Sequence, residues 1–159
     1  MDPRQHYADI VEPNFREFAE HFDSLRHAFN LAAATDALAA HIYWWCVENK
    51  PHEVVGVRDD SAYRDKLAEA DSSFALLRDV AKAHKHVKLT RGTPMVKSSE
   101  QSSAKGVGFG LRGYSEGRFN GVVQISIETE IGERPYFETI IRNAIRFLLA
   151  EMKRVGVPA

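Results

Sequence analysis

The chain has 159 residues, 44% of them hydrophobic and 27% charged, with a formal net charge of −1. That length and composition fit one soluble globular domain, residues 1 to 159, with a sizeable core. The near-neutral charge excludes a chain drawn as a whole onto nucleic acid, so any such binding requires a local basic patch.

The N-terminal stretch MDPRQHYADIVEP is polar and lacks the apolar centre of a signal peptide, which sets a cytoplasmic expectation. Residues 13–22, PNFREFAEHF, read as a short helix with Pro13 in its first turn. Asp23 and Ser24 supply a cap for the next helix, expected from Leu25 to Asn49. There Leu25, Ala28, Ala32, Thr35, Ala39, Ile42 and Cys46 recur at three- and four-residue steps and define one buried stripe. The many alanines of this helix permit close helix contact. Its longest apolar run, LAAATDALAAHIYWWCV, contains Asp36 and His41 and reads as a buried helix, not a membrane span. Cys46, the single cysteine, forms no internal disulfide, fits a reducing compartment and is expected as a buried thiol. Trp44 and Trp45 are adjacent, so they cannot both face one helix interior, and one is expected at an interface such as that of a dimer.

NKPHE ends that helix, and RDDSAYRDKLAEA predicts another, capped by Asp60 or Ser61. DSS at 71–73 caps a further helix carrying LLRDVAKAHKHVKL, residues 76–89. After it HVKLTR alternates like a strand, and residues 97–106, KSSEQSSAKG, read as a structureless loop. VGFGLRGYSEGRFNGVVQISIETE reads as a β-hairpin with glycines at its turn. Last, Phe137, Ile140, Ile141, Ala144, Ile145, Leu148, Leu149 and Met152 form a broad apolar helix face, with Pro135 near its start and Gly156 at its end. The expected fold is α+β: a mainly α helical bundle with an antiparallel β-hairpin inserted before the C-terminal helix.

The stretch 76–89 concentrates Arg78, Asp79, Lys82, His84, Lys85, His86 and Lys88 within about three helical turns. At about 100° per residue, Leu77, Val80, Ala81 and His84 share one face, so His84 is expected to point inward. Arg78, Lys82 and Lys85 share a second, outward face, with Asp79 and His86 nearby. One reading is purely structural. His84 is a core histidine bonded to Asp36 or Thr35, and the cations complement the negative end of the helix dipole.

The other reading is chemical. Arg78–Asp79, four residues, then His84 resembles the motif of the HEPN superfamily: an arginine, often a polar residue, then a histidine after four to six intervening positions. RDVAKAHKHVKL is also similar to a stretch in small uncharacterised bacterial proteins. The HEPN resemblance implies a compact helical bundle, and in many members a metal-independent endoribonuclease of toxin–antitoxin or phage-defence systems, dimeric with paired motifs. It implies no cofactor. In that chemistry a 2′-OH attacks the adjacent phosphate; His84 moves the proton, Arg78 stabilises phosphoryl charge and Asp79 orients either group. Lys82, Lys85 and His86 would guide the RNA backbone. A six-residue offset places Arg78 and His84 about 120° apart on an ideal helix, so both reach one phosphate only through long side chains or a dimer partner. Arg16 and His21 in REFAEH repeat an arginine–histidine spacing outside the basic cluster.

HKH at 84–86 is a two-nitrogen metal clamp only if further ligands, such as His41 or Asp36, join it; on a helix its rings diverge. GVGFG at 106–110 lacks the lysine and Ser/Thr ending of a phosphate loop and does not lead into a helix. LRGYSEGRFNG interleaves Arg112, Tyr114, Arg118 and Phe119, a combination that grips single-stranded RNA or forms a plain hairpin tip. Two functions are carried forward. The first is an RNA-directed, HEPN-like protein acting as a homodimer. The second is a non-catalytic regulatory module whose helical surface and Trp44 or Trp45 engage a protein partner.

Overall fold

The computed structural model describes residues 1–90, 92–105 and 123–158. It is an α+β protein, mainly helical, with one small antiparallel sheet. The helices are α1 (Pro3–His6), α2 (Glu12–Glu20), α3 (Leu25–Asn49), α4 (Asp60–Ala70), α5 (Ser72–His86) and α6 (Phe137–Val155). The strands β1 (Ser102–Lys105) and β2 (Gln124–Ile127) lie between α5 and α6. Among the described residues no helix is long and apolar enough to cross a membrane.

Helix begins earlier than the sequence suggests. Asp2 caps α1 by accepting the Gln5 N–H at 2.9 Å, and Pro3 takes the first helical position. A π-helical segment, Tyr7–Val11, then joins α1 to α2. Pro13 is the second residue of α2, in the first turn expected of it, although a π-helical segment already precedes it. Its ring meets the carbonyl of Asp9, and it cannot donate to that carbonyl. The wider π turn next to it accommodates both defects.

Ser24 caps α3, which has the expected span Leu25–Asn49. Its stripe is buried from Ala28 to Cys46, whereas Leu25 is exposed. Asp59, not Asp60 or Ser61, caps α4 by accepting the Ala62 N–H at 2.8 Å. Asp71 caps α5 through Phe74 N–H at 2.7 Å. α6 ends with Gly156 at φ 86°, where a side chain would be strained.

α3 is the central helix; α5 packs on α3, α4 and α6. Phe18, Leu31, Leu38, Phe74, Leu77 and Leu148 belong to one core, each 1% exposed or less. The tryptophans divide as one helix face requires: Trp45 packs against the core and Trp44 is 54% exposed.

The β region departs from the sequence reading. Residues 99–101, expected to be unstructured, form a 3₁₀ turn closed by a capping box between Ser98 and Gln101. The chain then enters β1, which pairs with β2 in the register Ser102↔Ile127 to Lys105↔Gln124. β1 thus lies within the stretch read as a loop; the part of the expected hairpin over residues 106–122 lies outside the described residues. HVKLTR is no regular strand among its described residues; it contributes one bridge, Lys88↔Ser98. Ile125 and Ile127 are buried, and Ile125 N–H donates to Phe22 O at 3.0 Å, which ties the sheet to the bundle.

Candidate functional site: a groove between α4, α5 and a tethered arch

Helix α5 stops at Val87, whose φ of 63° is costly for a β-branched residue. The turn sends the described residues 88–90 and 92–98 back along α5 as an arch. Leu89 N–H donates to Lys97 O at 2.6 Å, and Ser99 N–H to Val87 O at 3.2 Å. Met95 N–H donates to Asp79 Oδ2 at 2.7 Å, and Glu130 N–H to Met95 O at 2.9 Å. The arch is held to the helix on one side and to the segment after β2 on the other. A groove of about 1020 Å³ lies between it and the α4–α5 pair.

The cations of the 76–89 stretch divide at this groove. Arg78, Lys82, His86 and Lys88 line it; His84 and Lys85 do not. Asp65, Glu69 and Asp79 also line it, which balances the formal charge when His86 is neutral. The charge is polarised: Asp65 and Glu69 come from α4, while Lys82, His86 and Lys88 cluster at the end of α5. Among the described residues neither Lys82 nor Lys88 is in an ion pair.

The expected orientations of Arg78 and His84 are exchanged. Arg78 is the buried one, with its side chain 5% exposed. Its guanidinium pairs with Asp65, donates to Ser61 O at 3.3 Å and lies 3.7 Å from Asp36. Asp36 is bonded more closely by Arg64, at 2.7 Å. Arg78 Nε and Asp36 Oδ1 both lack a hydrogen-bond partner, so their attraction is through space. His84 is exposed and stacks on Phe29, with ring centroids 4.2 Å apart and planes at 12°. It does not bond Asp36 or Thr35. The reason is packing: α5 is covered by three helices, so its buried arc is wider than one stripe, and two aspartates draw Arg78 inward.

Asp79 is half-buried and points to the arch, not to Arg78 or His84. Burial raises its carboxyl above the ordinary value, and the Met95 and Val96 amides and the Lys82 charge only partly oppose this. Asp79 therefore fixes the groove's rim. His84 and His86 face different surroundings, and among the described residues no group of three or more His, Cys, Asp or Glu side chains is gathered around a metal-sized space. Arg112 and Arg118 lie outside the described residues. At the second arginine–histidine spacing, Arg16 pairs with Glu12 at 2.8 Å while His21 Nδ1 lies 3.0 Å from its own helix, at Glu17 O.

Sequence reasoning did not single out Asp65, Glu69 or Thr93 as groove residues. Asp65 had one legible signal, an acidic residue on the helix preceding the basic one. The others depend on how the arch folds back. No family model matches this chain, and no curated protein or solved structure matches it significantly.

Proposed function

We propose that the protein is an RNA-directed helical protein and that RNA engages it along the α4–α5 groove. The groove histidine, His86, is separated from Arg78 by seven residues, 79–85, and so stands outside the HEPN spacing; the reading rests on the groove. One observation carries this reading: Arg78, Lys82, His86 and Lys88 share a single groove. Among the described residues Lys82 and Lys88 are in no ion pair, and both are suited to phosphodiester oxygens. His86 is the groove imidazole, so the acid/base role anticipated for His84 passes to it. Arg78 reaches the groove while paired to Asp65, whose side chain is 60% exposed. A phosphate entering the groove can take the place of that carboxylate.

The test combines binding and cleavage. A fluorescently labelled single-stranded RNA pool is titrated with the protein at two salt concentrations, and cleavage is followed separately in EDTA. Lys82→Ala and Lys88→Ala are expected to weaken binding and to lower the salt slope by about 0.7 each. His86→Ala removes cleavage and His84→Ala retains it. Salt-dependent binding without cleavage leaves an RNA-binding protein. Absence of binding by the wild type refutes the reading.

A second reading rests on Trp44. Its exposed ring lies one turn from Val47, which is 36% exposed, on the outer side of α3. Such a pair suits a protein interface, including that of a homodimer. Light scattering on wild type and Trp44→Ala tests it: loss of an oligomer in the variant supports it, and a monomeric wild type excludes the homodimer.

A further inference from the structure

A second groove lies between α2 and α6. The two helices run antiparallel. Phe18 meets Phe137 edge-on, with centroids 5.2 Å apart, at one end. At the other end Arg4 Nε donates to Pro158 O at 3.2 Å. Between these contacts the helices leave a space of about 460 Å³. That volume is in the range of small-molecule sites.

Its floor is apolar. Tyr7, Phe15, Ile145 and Leu149 pack against the core with part of each side chain left open. Ile145 and Leu149 belong to the face that makes α6 amphipathic, yet both remain half-buried while Ile141, Ala144 and Leu148 are covered. The rim is cationic. Arg16, Arg142 and Arg146 line it, and Glu12 is its one carboxylate among the described residues. Arg142 sits 4.8 Å over the Phe15 ring, bridging the two helices. Arg16 and Arg142 each use one nitrogen on a carboxylate of their own helix, Glu12 and Glu138. Arg146 is exposed and has no ion-pair partner among the described residues.

An independent feature marks the same place. Tyr7 opens the π-helical segment, and such segments occur frequently at functional sites. The segment sets the Tyr7 ring against the groove.

From this we infer that the α2–α6 groove binds an anionic amphiphile: a small carboxylate with an aliphatic tail. The tail lies on Tyr7, Phe15, Ile145 and Leu149, and the carboxylate is held by Arg146 with Arg142 or Arg16. An RNA backbone has no aliphatic tail to fill the apolar floor, so the inference is independent of the α4–α5 groove. The preference for a carboxylate over a cation follows from Arg146, the rim arginine with no ion-pair partner among the described residues, beside Arg16 and Arg142.

The experiment uses the full chain and decanoate as probe, with decanol and decyltrimethylammonium as tail-matched neutral and cationic controls. Binding is measured by calorimetry, and its location by amide chemical shifts. Decanoate is expected to bind about tenfold more tightly than decanol, and the cation more weakly still. Shifts should fall on α2 and α6. Arg146→Ala, whose side chain is in no ion pair or hydrogen bond among the described residues, should lose most of the preference for decanoate while keeping affinity for decanol. Leu149→Asn should weaken both. Equal affinity for decanoate and decanol, an unchanged preference in Arg146→Ala, or shifts confined to the α4–α5 groove would overturn the proposal.

Discussion

Truncating Arg78 to alanine tests the central assignment of the site. The side chain is 5% exposed, so the change removes two packed methylenes and a buried guanidinium. At about 0.8 kcal/mol each, the methylenes contribute about 1.6 kcal/mol. Incomplete collapse of the space adds about 1 kcal/mol. The charge contributes little net. Asp36 keeps its 2.7 Å bond to Arg64, and Asp65 is 60% exposed and hydrates freely. No buried carboxylate is stranded, and the guanidinium's own desolvation cost is recovered. Arg78→Ala should therefore cost about 2–3 kcal/mol, a fall in Tm of about 5–10 °C. Arg78→Met refills the stem and should remain within about 1 kcal/mol of wild type. Urea unfolding followed by tryptophan fluorescence and far-UV circular dichroism measures both, provided the m value is unchanged. A cost of 3–5 kcal/mol in both variants, in the range typical of a broken buried pair, would refute the reasoning, because the ion pairs would then dominate over the stem. A change below about 0.5 kcal/mol in Arg78→Ala would mean that the side chain is hydrated. Arg78→Met also separates fold from chemistry: loss of RNA cleavage in a variant of native stability assigns the loss to the guanidinium.

Other consequences follow from the buried groups. Asp79→Ala orphans the Met95 N–H and should cost about 1–3 kcal/mol, with faster hydrogen exchange at Met95. Asp79→Asn keeps an acceptor. Because burial raises the Asp79 carboxyl in the folded protein, its stabilising contribution is full below the ordinary value of 3.8 and is lost as pH rises through the folded value. Asp79→Asn should thus flatten that decline in urea titrations taken across the acidic range. Tyr63 donates to Glu151 Oε1 at 2.7 Å in the core, and Tyr63→Phe should cost about 1–2 kcal/mol. Burial alone would raise the Glu151 carboxyl, but the bonds from Arg154 and Tyr63 hold it below the ordinary range. Its contribution is present above the unfolded value and lost as pH falls through the folded one, and Tyr63→Phe should shrink that acid-side loss. Burial, with Glu151 and Glu53 nearby, pushes the Cys46 thiol up to about 11. The native protein should leave Cys46 unreactive toward a disulfide reagent at neutral pH, with full reaction only in denaturant.

Much of the helical framework is legible in the order of residues, since its causes are local. Ser24 and Asp71 stand where caps are needed, and α3 and α6 carry apolar periods long enough to bury a face. Local chemistry also explains what was misread. Ser98 and Gln101 form a recognisable capping box inside a stretch whose polarity alone suggests a loop. Pro13 does lie in the first turn of α2, but the π-helical segment that joins α2 to α1 has no signal in the polar N-terminal stretch.

The sequence by itself determined helices α2 to α6, the buried thiol, the presence of a small antiparallel sheet before α6 and a dense basic stretch on α5. Only the tertiary structure decided which members of that stretch share a groove. Helical periodicity assigns directions around one axis, but it does not say how many neighbours that axis will have. With α3, α4 and α6 all packed on α5, Arg78 is enclosed beside Asp36 and Asp65, while His84 lies outside on Phe29. The partners that set both positions come from α3 and α4, up to 55 residues away along the chain, as Phe29 and His84 show. Their influence exists only after the helices have packed.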